Sequence, residues 1–478
     1  MTIPKGFIRA DDVLQDRMTA DEAVRLEVTH GNGKLMRGLD ILGMSGPLRP
    51  ITPWELEDPH GRHVINASGY AALPFGDNPP ELVGFLRDML AVGGQIAIAQ
   101  QSVTTWRAAL EANLVRLLSH QAPSHADSRV FFSNSGTEAV EAAIKFAVAA
   151  RPKAKYLINF QRAYHGKTFM SLSLTPNPTL QGPFRNLLSS SVVTLPFGDI
   201  EALARTVKRL GPDKIVAVVL EPILGEAGVR LPPPDFLRAV HDLCRPKGVL
   251  LVVDEIQTGL GRSGHWFQSL AAGLEPDIIT LAKPLGGGLV PVGATIVRNS
   301  IYRELLGDVN KLKRHSNTFG GNSIAMAVGL KSLEMLIDMD APARSRALGE
   351  RGLTRLKAVQ QRFPNLLEDV RGAGTLFAMN FRPVIDPKFL PGQADFVSEV
   401  SGFLALLAFY RAGVQLNFSL NAARTMRITP AMNMPDDVFD ELFDRVGRAA
   451  EQHPTSFSLV RGTGLGKLLQ LAKFAFFE

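Results

Sequence analysis

Three runs in this chain, KIVAVVL at 214–220, VLLVV at 249–253 and IITL at 278–281, are apolar at nearly every position and rich in β-branched residues. A strand with one wet face alternates apolar and polar residues. Runs without alternation belong to strands covered on both faces, as in a parallel sheet sandwiched by helices. RVFF at 129–132, KYLINF at 155–160 and VGATIV at 292–297 supply further strands, and Val140, Ala143, Ile144 and Ala147 recur at helical spacing between two of them. The expectation is an α/β fold whose large, mostly parallel-sheet domain occupies residues 86–343. Beyond residue 344 the pattern changes to helix, two strands near 366–381, helix, strands near 413–428 and a last helix from Pro435. That texture predicts a smaller α+β domain over 344–453, to which residues 1–85 contribute, followed by an extension at 454–478.

Two of the apolar runs end on charge. Asp254 follows the second, and Lys283 comes just after the third, ahead of Pro284 and the triplet Gly286, Gly287 and Gly288. Ligands of open α/β sheets gather at the carboxyl ends of strands. A lysine placed there is partly desolvated, which lowers its pKa and suits it to Schiff-base chemistry, and the glycines admit a ligand close to the backbone. A carboxylate at the neighbouring strand end is able to hold a pyridine nitrogen protonated, so that the ring draws electrons from a carbanion. A solvated lysine and a helix-capping aspartate are the alternative readings of the same two residues. Ser135, Gly136 and Thr137 stand at the start of the helix that follows RVFF, where free amides and the dipole attract an anion such as phosphate; an ordinary cap would read the same way.

Composition narrows the field. With 478 residues, 45% of them hydrophobic and 21% charged, the chain reads as a globular enzyme. Its formal charge of +6 comes without a basic block, so no nucleic-acid partner is expected. The single cysteine, Cys244, excludes an intrachain disulfide and reads as a buried helix residue. The N-terminal MTIPKGFIRADDVLQ lacks an apolar signal core, and no run approaches the roughly 18 apolar residues of a spanning helix; a cytoplasmic location is the expectation. Gly259, Gly261 and Gly264 fit the dinucleotide glycine pattern, but Asp254 to Thr258 separate them from the strand, and His265, Trp266 and Phe267 stand where a helix should begin. His165 has no partner at metal-ligand spacing, so no metal site is expected.

SNSGTEAVEAAIK at 133–145, AYHGKT at 163–168, EPILGEAG at 221–228, DEIQTGLGRSG at 254–264, LAKPLGGG at 281–288 and HSNTFGGN at 315–322 resemble, in order and spacing, the class III aminotransferases. These are the ornithine, acetylornithine, 4-aminobutyrate and putrescine aminotransferases, fold type I enzymes that use pyridoxal 5'-phosphate. The resemblance runs from about residue 55 to 450. It implies that Lys283 bonds to the cofactor aldehyde and shuttles a proton, that Asp254 binds the pyridinium nitrogen and that Gln257 lies near the ring hydroxyl. Tyr164 would stack on the ring, with His165 among the cofactor contacts, and Ser135, Gly136 and Thr137 would hold the phosphate. Thr318 matches a threonine that reaches the phosphate of a partner subunit, which implies a homodimer with shared active sites.

The same resemblance gives Arg427, in RITPAMN, the α-carboxylate of glutamate or 2-oxoglutarate, and gives Glu226 the part of neutralising that arginine when an ω-amine is bound. Tyr70 resembles the pocket tyrosine of ornithine aminotransferases. Lys167 stands where ornithine-type members carry a carboxylate-binding arginine, Leu224 replaces a frequent glutamine, and Met432 interrupts the usual proline-rich end of the arginine motif. Lysine lacks the planar fork, which favours a donor whose far end is not a carboxylate over free ornithine. The implied reaction moves an amino group from an ω-amine or ω-amino acid to a 2-oxo acid, 2-oxoglutarate foremost, by a ping-pong route. A racemase, epimerase or aminomutase on the same scaffold is the alternative, and a nicotinamide dehydrogenase using the glycine pattern a third. The tail GLGKLLQLAKFAFFE reads either as a helix packed on the dimer or as a weak membrane-surface contact.

Overall fold

The computed structural model describes residues 6–94, 102–390 and 392–464, together with 466 and 470. Its centre is a seven-stranded sheet in the order Arg129–Ser133, Gly293–Val297, Ile278–Leu281, Leu250–Asp254, Ile215–Leu220, Tyr156–Phe160 and Val192–Leu195. Gly293–Val297 runs antiparallel to both neighbours; every other pair is parallel. The lack of alternation in the apolar runs has a direct cause. Val252 packs with Val140, Ile144 and Val216 on one face of the sheet, whereas Leu251 and Val253 pack with Val218, Phe236 and Leu237 on the other. Burying each such side chain contributes roughly 1.5–3 kcal/mol, so a slip that exposed either face would be strongly disfavoured. The edge strand Val192–Leu195 was not legible in the sequence; it is short and only half-buried.

Segments from the N-terminal and C-terminal parts of the chain meet. Arg49–Thr52, Glu55–Glu57 and His63–Asn66 form an antiparallel meander, and the last of these pairs in parallel with Val414–Gln415, placing Ile65 opposite Val414. Three helices, Ala10–Leu14, Ala20–His30 and Gly33–Leu42, precede the meander. A second antiparallel sheet contains Leu367–Ala373, Leu376–Phe381, Thr425–Ile428 and Asn417–Phe418. Its core, built on Phe377, Phe381, Phe409, Phe439 and Phe443, is shared with the helices Ala341–Arg362, Ala394–Arg411 and Asp436–Gln452.

Among the described residues no helix is long and apolar enough to cross a membrane, and no cluster of His, Cys, Asp and Glu could hold a metal. Cys244 ends the helix Phe236–Cys244 and is buried, which pushes its thiol pKa up to about 12 and leaves it unreactive. The apolar tail weighed as a membrane contact, from Leu465 on, lies outside the described residues save 466 and 470.

Candidate active site

The parallel strands Leu250–Asp254 and Ile278–Leu281 are in register so that Asp254 faces Thr280. The chain leaves the second strand through Ala282 into Lys283, and both charged side chains line one cavity of about 220 Å³. Asp254 is buried and held on three sides. Its Oδ1 accepts from the Ile256 amide at 3.1 Å and from Thr280 Oγ1 at 3.2 Å, and its Oδ2 faces His165 Nδ1 at 2.8 Å. Burial lowers the Lys283 pKa, opposed by Glu226, Asp254 and Glu221 and reinforced by Arg427.

Across the cavity the helix Gly136–Ala150 presents its N-terminus. Ser135 caps it, its Oγ accepting from the Glu138 amide at 3.1 Å, while the Glu138 carboxylate turns back to the Asn134 amide at 2.6 Å. The first-turn amides of such a helix have no intrahelical acceptor and serve an anion. Small residues keep this end open. A Cβ on Gly136 would lie 2.8 Å from Ile256 Cδ1. Gly166 sits at φ +127°, and a Cβ there would lie 2.4 Å from Thr137 Oγ1.

Tyr164 and His165 form another wall. The His165 imidazole is buried; desolvation works against its charged form, but the hydrogen bond and charge of Asp254, helped by Glu221, raise its pKa. Its Nε2 has no hydrogen-bond partner among the described residues. Glu221 and Ile256 also line the cavity and were not singled out from the sequence. The signal for Glu221 was available: it follows Ile215–Leu220 as Asp254 ends its own strand. Its carboxylate accepts from the Tyr164 amide at 2.9 Å and the Gly225 amide at 3.0 Å. Burial and the charge of Asp254, against His165 and those amides, push its pKa up to about 7.

Arg427 lies behind the Glu226 wall with no exposed surface. Its Nη1 is 2.7 Å from Glu226 Oε1 and makes a longer 3.4 Å bond to Gln257 Oε1; Nη2 donates to the Phe418 carbonyl at 3.0 Å. The Tyr70 ring lies 5.6 Å from the guanidinium. Gln257 reaches this place only because residue 225 is glycine, since a Cβ there would fall 1.5 Å from Gln257 Oε1. Lys167 and Thr318 are exposed and do not line the cavity. The glycine pattern at 259–264 forms turns, with Gly261 and Gly264 at φ +90° and +94°, and the next helix is only Gln268–Ala271.

The family model Aminotransferase class-III matches residues 54–450. The chain belongs to the class III aminotransferases. Over 316 residues this aminotransferase is 40% identical to Aminotransferase PigE of Serratia sp. (strain ATCC 39006), an alignment covering 66% of this chain and 36% of that protein. The chain thus spans about a third of the length of the curated relative it matches. Its fold is similar to ornithine aminotransferase from Toxoplasma gondii, with a TM-score of 0.78 at 23% identity over 96% of this chain and 100% of the other. A thermostable (S)-enantioselective omega-transaminase from Thermomicrobium roseum superimposes equally well, with a TM-score of 0.78 at 24% identity over 91% of this chain and 99% of the other. An amine transaminase from an uncultivated Pseudomonas species, solved in its PLP-bound form, gives 0.74 at 22% identity over 85% of this chain and 94% of the other.

Pyridoxal phosphate is the cofactor of the class III aminotransferases, the family to which the chain belongs. The cavity fits that group. A buried carboxylate stands ready for a protonated ring nitrogen, the glycine-cleared helix end for a phosphate, and the amine of Lys283 for an aldehyde.

Proposed function

We propose that this aminotransferase moves an amino group from an ω-amine or ω-amino acid to a 2-oxo acid, with 2-oxoglutarate as acceptor, in two half-reactions within one pocket. The observation that carries this reading is the buried Arg427–Glu226 pair at 2.7 Å. Breaking a buried ion pair without replacement costs about 3–5 kcal/mol. A donor lacking a carboxylate at that end leaves the pair closed. A 2-oxo acid exchanges one anion for another on Arg427, forming the bidentate contact that guanidinium geometry favours. Glu226 has somewhere to turn, for its Oε2 already accepts from the Leu420 amide at 3.2 Å.

When bound, pyridoxal phosphate supplies the aldehyde that exchanges with the amine and the ring that takes up the electron pair of the deprotonated carbon. Lys283 would hold the cofactor's aldehyde, and its Nζ, with a pKa lowered by burial, would serve as the base for the proton on the amine-bearing carbon. Asp254, oriented by Thr280, the Ile256 amide and His165, keeps the ring nitrogen protonated. The proposal includes a homodimer, supported by the exposure of Thr318 away from its own cavity and by the family resemblance of its segment.

Holoenzyme given a diamine, an ω-amino acid or a hydrophobic amine without any oxo acid tests the reaction. Stoichiometric loss of the aldehyde form's visible absorbance, restored by 2-oxoglutarate, is expected. Stereochemical inversion or internal rearrangement of the donor with the aldehyde form persisting would instead assign racemase or aminomutase chemistry.

A further inference from the structure

The turn beside Arg427 has a strained backbone. Gly69, Tyr70 and Ala71 lie at φ +77°, +52° and +64°, and for the latter two a left-handed conformation costs about 1–2 kcal/mol each. The turn separates its side chains. Ala71 is fully buried in a cluster with Ile223, Val229 and Leu376, while the Tyr70 ring remains 42% exposed, next to Arg427 and edge-on to Phe418 at 6.4 Å. Ordinary backbone at these two positions would aim the ring elsewhere.

Such strain persists only where the surroundings hold it. At one end Thr429 Oγ1 donates to the Ser68 carbonyl at 2.7 Å. At the other stands Arg262, which has no exposed surface. Its Nη2 donates to the carbonyls of Ala71 and Leu73, each at 3.4 Å, and its Nη1 to Thr375 Oγ1 at 3.1 Å and to the Pro430 carbonyl. Thr375 returns a bond from its amide to the Arg262 carbonyl at 3.0 Å. Burial pushes the Arg262 pKa down to about 9, and no charged neighbour among the described residues offsets this. A guanidinium buried without a counter-ion is costly, and lysine could not bridge these acceptors, which come from separate stretches of the chain.

We propose that Arg262 is a positioning residue for the donor pocket: clamped between Thr375 and the 69–73 turn, it holds the Tyr70 ring over Arg427 and thereby sets affinity for the amine donor. This rests on the reading that Tyr70 and Arg427 receive the donor.

Steady-state kinetics of Arg262→Lys, Thr375→Val, Tyr70→Ala and the Arg262→Lys/Tyr70→Ala double variant, with an ω-amine donor and 2-oxoglutarate, test it. Arg262→Lys should raise the donor KM about tenfold while kcat stays within about twofold and the visible absorbance of the lysine-bound cofactor is unchanged. Thr375→Val should show the same split, smaller, and decides the matter if Arg262→Lys does not fold. Adding Tyr70→Ala to Arg262→Lys should cost less than it does alone, since the ring is already displaced. A donor KM unchanged in both clamp variants while Tyr70→Ala raises it would overturn the clamp and leave the donor reading intact. Equal losses in KM and kcat with altered absorbance would make Arg262 merely structural. If Tyr70→Ala itself leaves the donor KM unchanged, the donor reading fails and the clamp with it.

Discussion

Glu226→Gln keeps the side chain's shape and removes the charge that Arg427 faces at 2.7 Å. The guanidinium is then buried with a 3.4 Å amide contact and a carbonyl for company, an under-satisfied state costing about 1–3 kcal/mol. The expected outcome is a loss on the order of tenfold to a hundredfold in the ω-amine half-reaction, with the 2-oxoglutarate half-reaction nearly preserved because its carboxylate supplies the missing anion. Single-turnover rates of each half check this; equal loss in both would assign the pair to packing. Glu221 carries a pH prediction. Its pKa is about 7 when folded against an ordinary 4.5, so between those values the folded chain holds a proton that the unfolded chain has released. Stability therefore falls as pH rises through that window and stays lowered above it, by about 3 kcal/mol at most. His165 acts in the same direction: its raised pKa gives stability present below the unfolded value of 6.5 and lost as pH rises through the folded one. Urea midpoints of cofactor-free Glu221→Gln at pH 4.5 and pH 7.5 should differ less than those of the parent; an unchanged difference would mean that Glu221 is ionised in the fold.

At the scale of elements, the helix Gly136–Ala150 joins sequence to cofactor most directly. Its cap and apolar stripe were both readable because they are local properties, set by residues within a few positions of one another. The cleared space at its N-terminus was not, since Gly166 and Ile256 arrive from other segments. Gly166→Ala would force a strained φ of +127° and set a Cβ 2.4 Å from Thr137 Oγ1. Titration with pyridoxal phosphate should show an affinity about tenfold weaker, and thermal unfolding a Tm lower by a few degrees; unaltered affinity would place the phosphate elsewhere. The strands of the central sheet announced themselves through two-faced burial. The Arg49–Thr52, Glu55–Glu57 and His63–Asn66 meander did not, because these strands are short, carry charges, and find a partner, Val414, far along the chain.

For the whole molecule, the proposed dimer predicts that Thr318→Ala weakens cofactor binding about tenfold without disturbing the chain's own core, since the residue is exposed and outside its own cavity. Light scattering should find twice the 51.9 kDa chain mass; a monomer with full cofactor affinity would refute a shared site. Lys283, Asp254 and the Ser135–Thr137 helix start were legible from the chain alone, as was the α/β plan of a sheet covered by helices on both faces, because strand burial, helix periodicity and capping depend on near neighbours in sequence. Tyr70 and Arg427 could be named by resemblance, but what they touch could not. Gly225 makes room for Gln257, Glu226 reaches Arg427, and the left-handed turn at Tyr70 closes over the pair under Arg262, bringing together segments far apart in the chain, just as the N-terminal meander pairs with the distant strand Val414–Gln415. Charge and strain at that junction are set by distance and solvent exclusion, and both come into being only when segments far apart in the chain pack together.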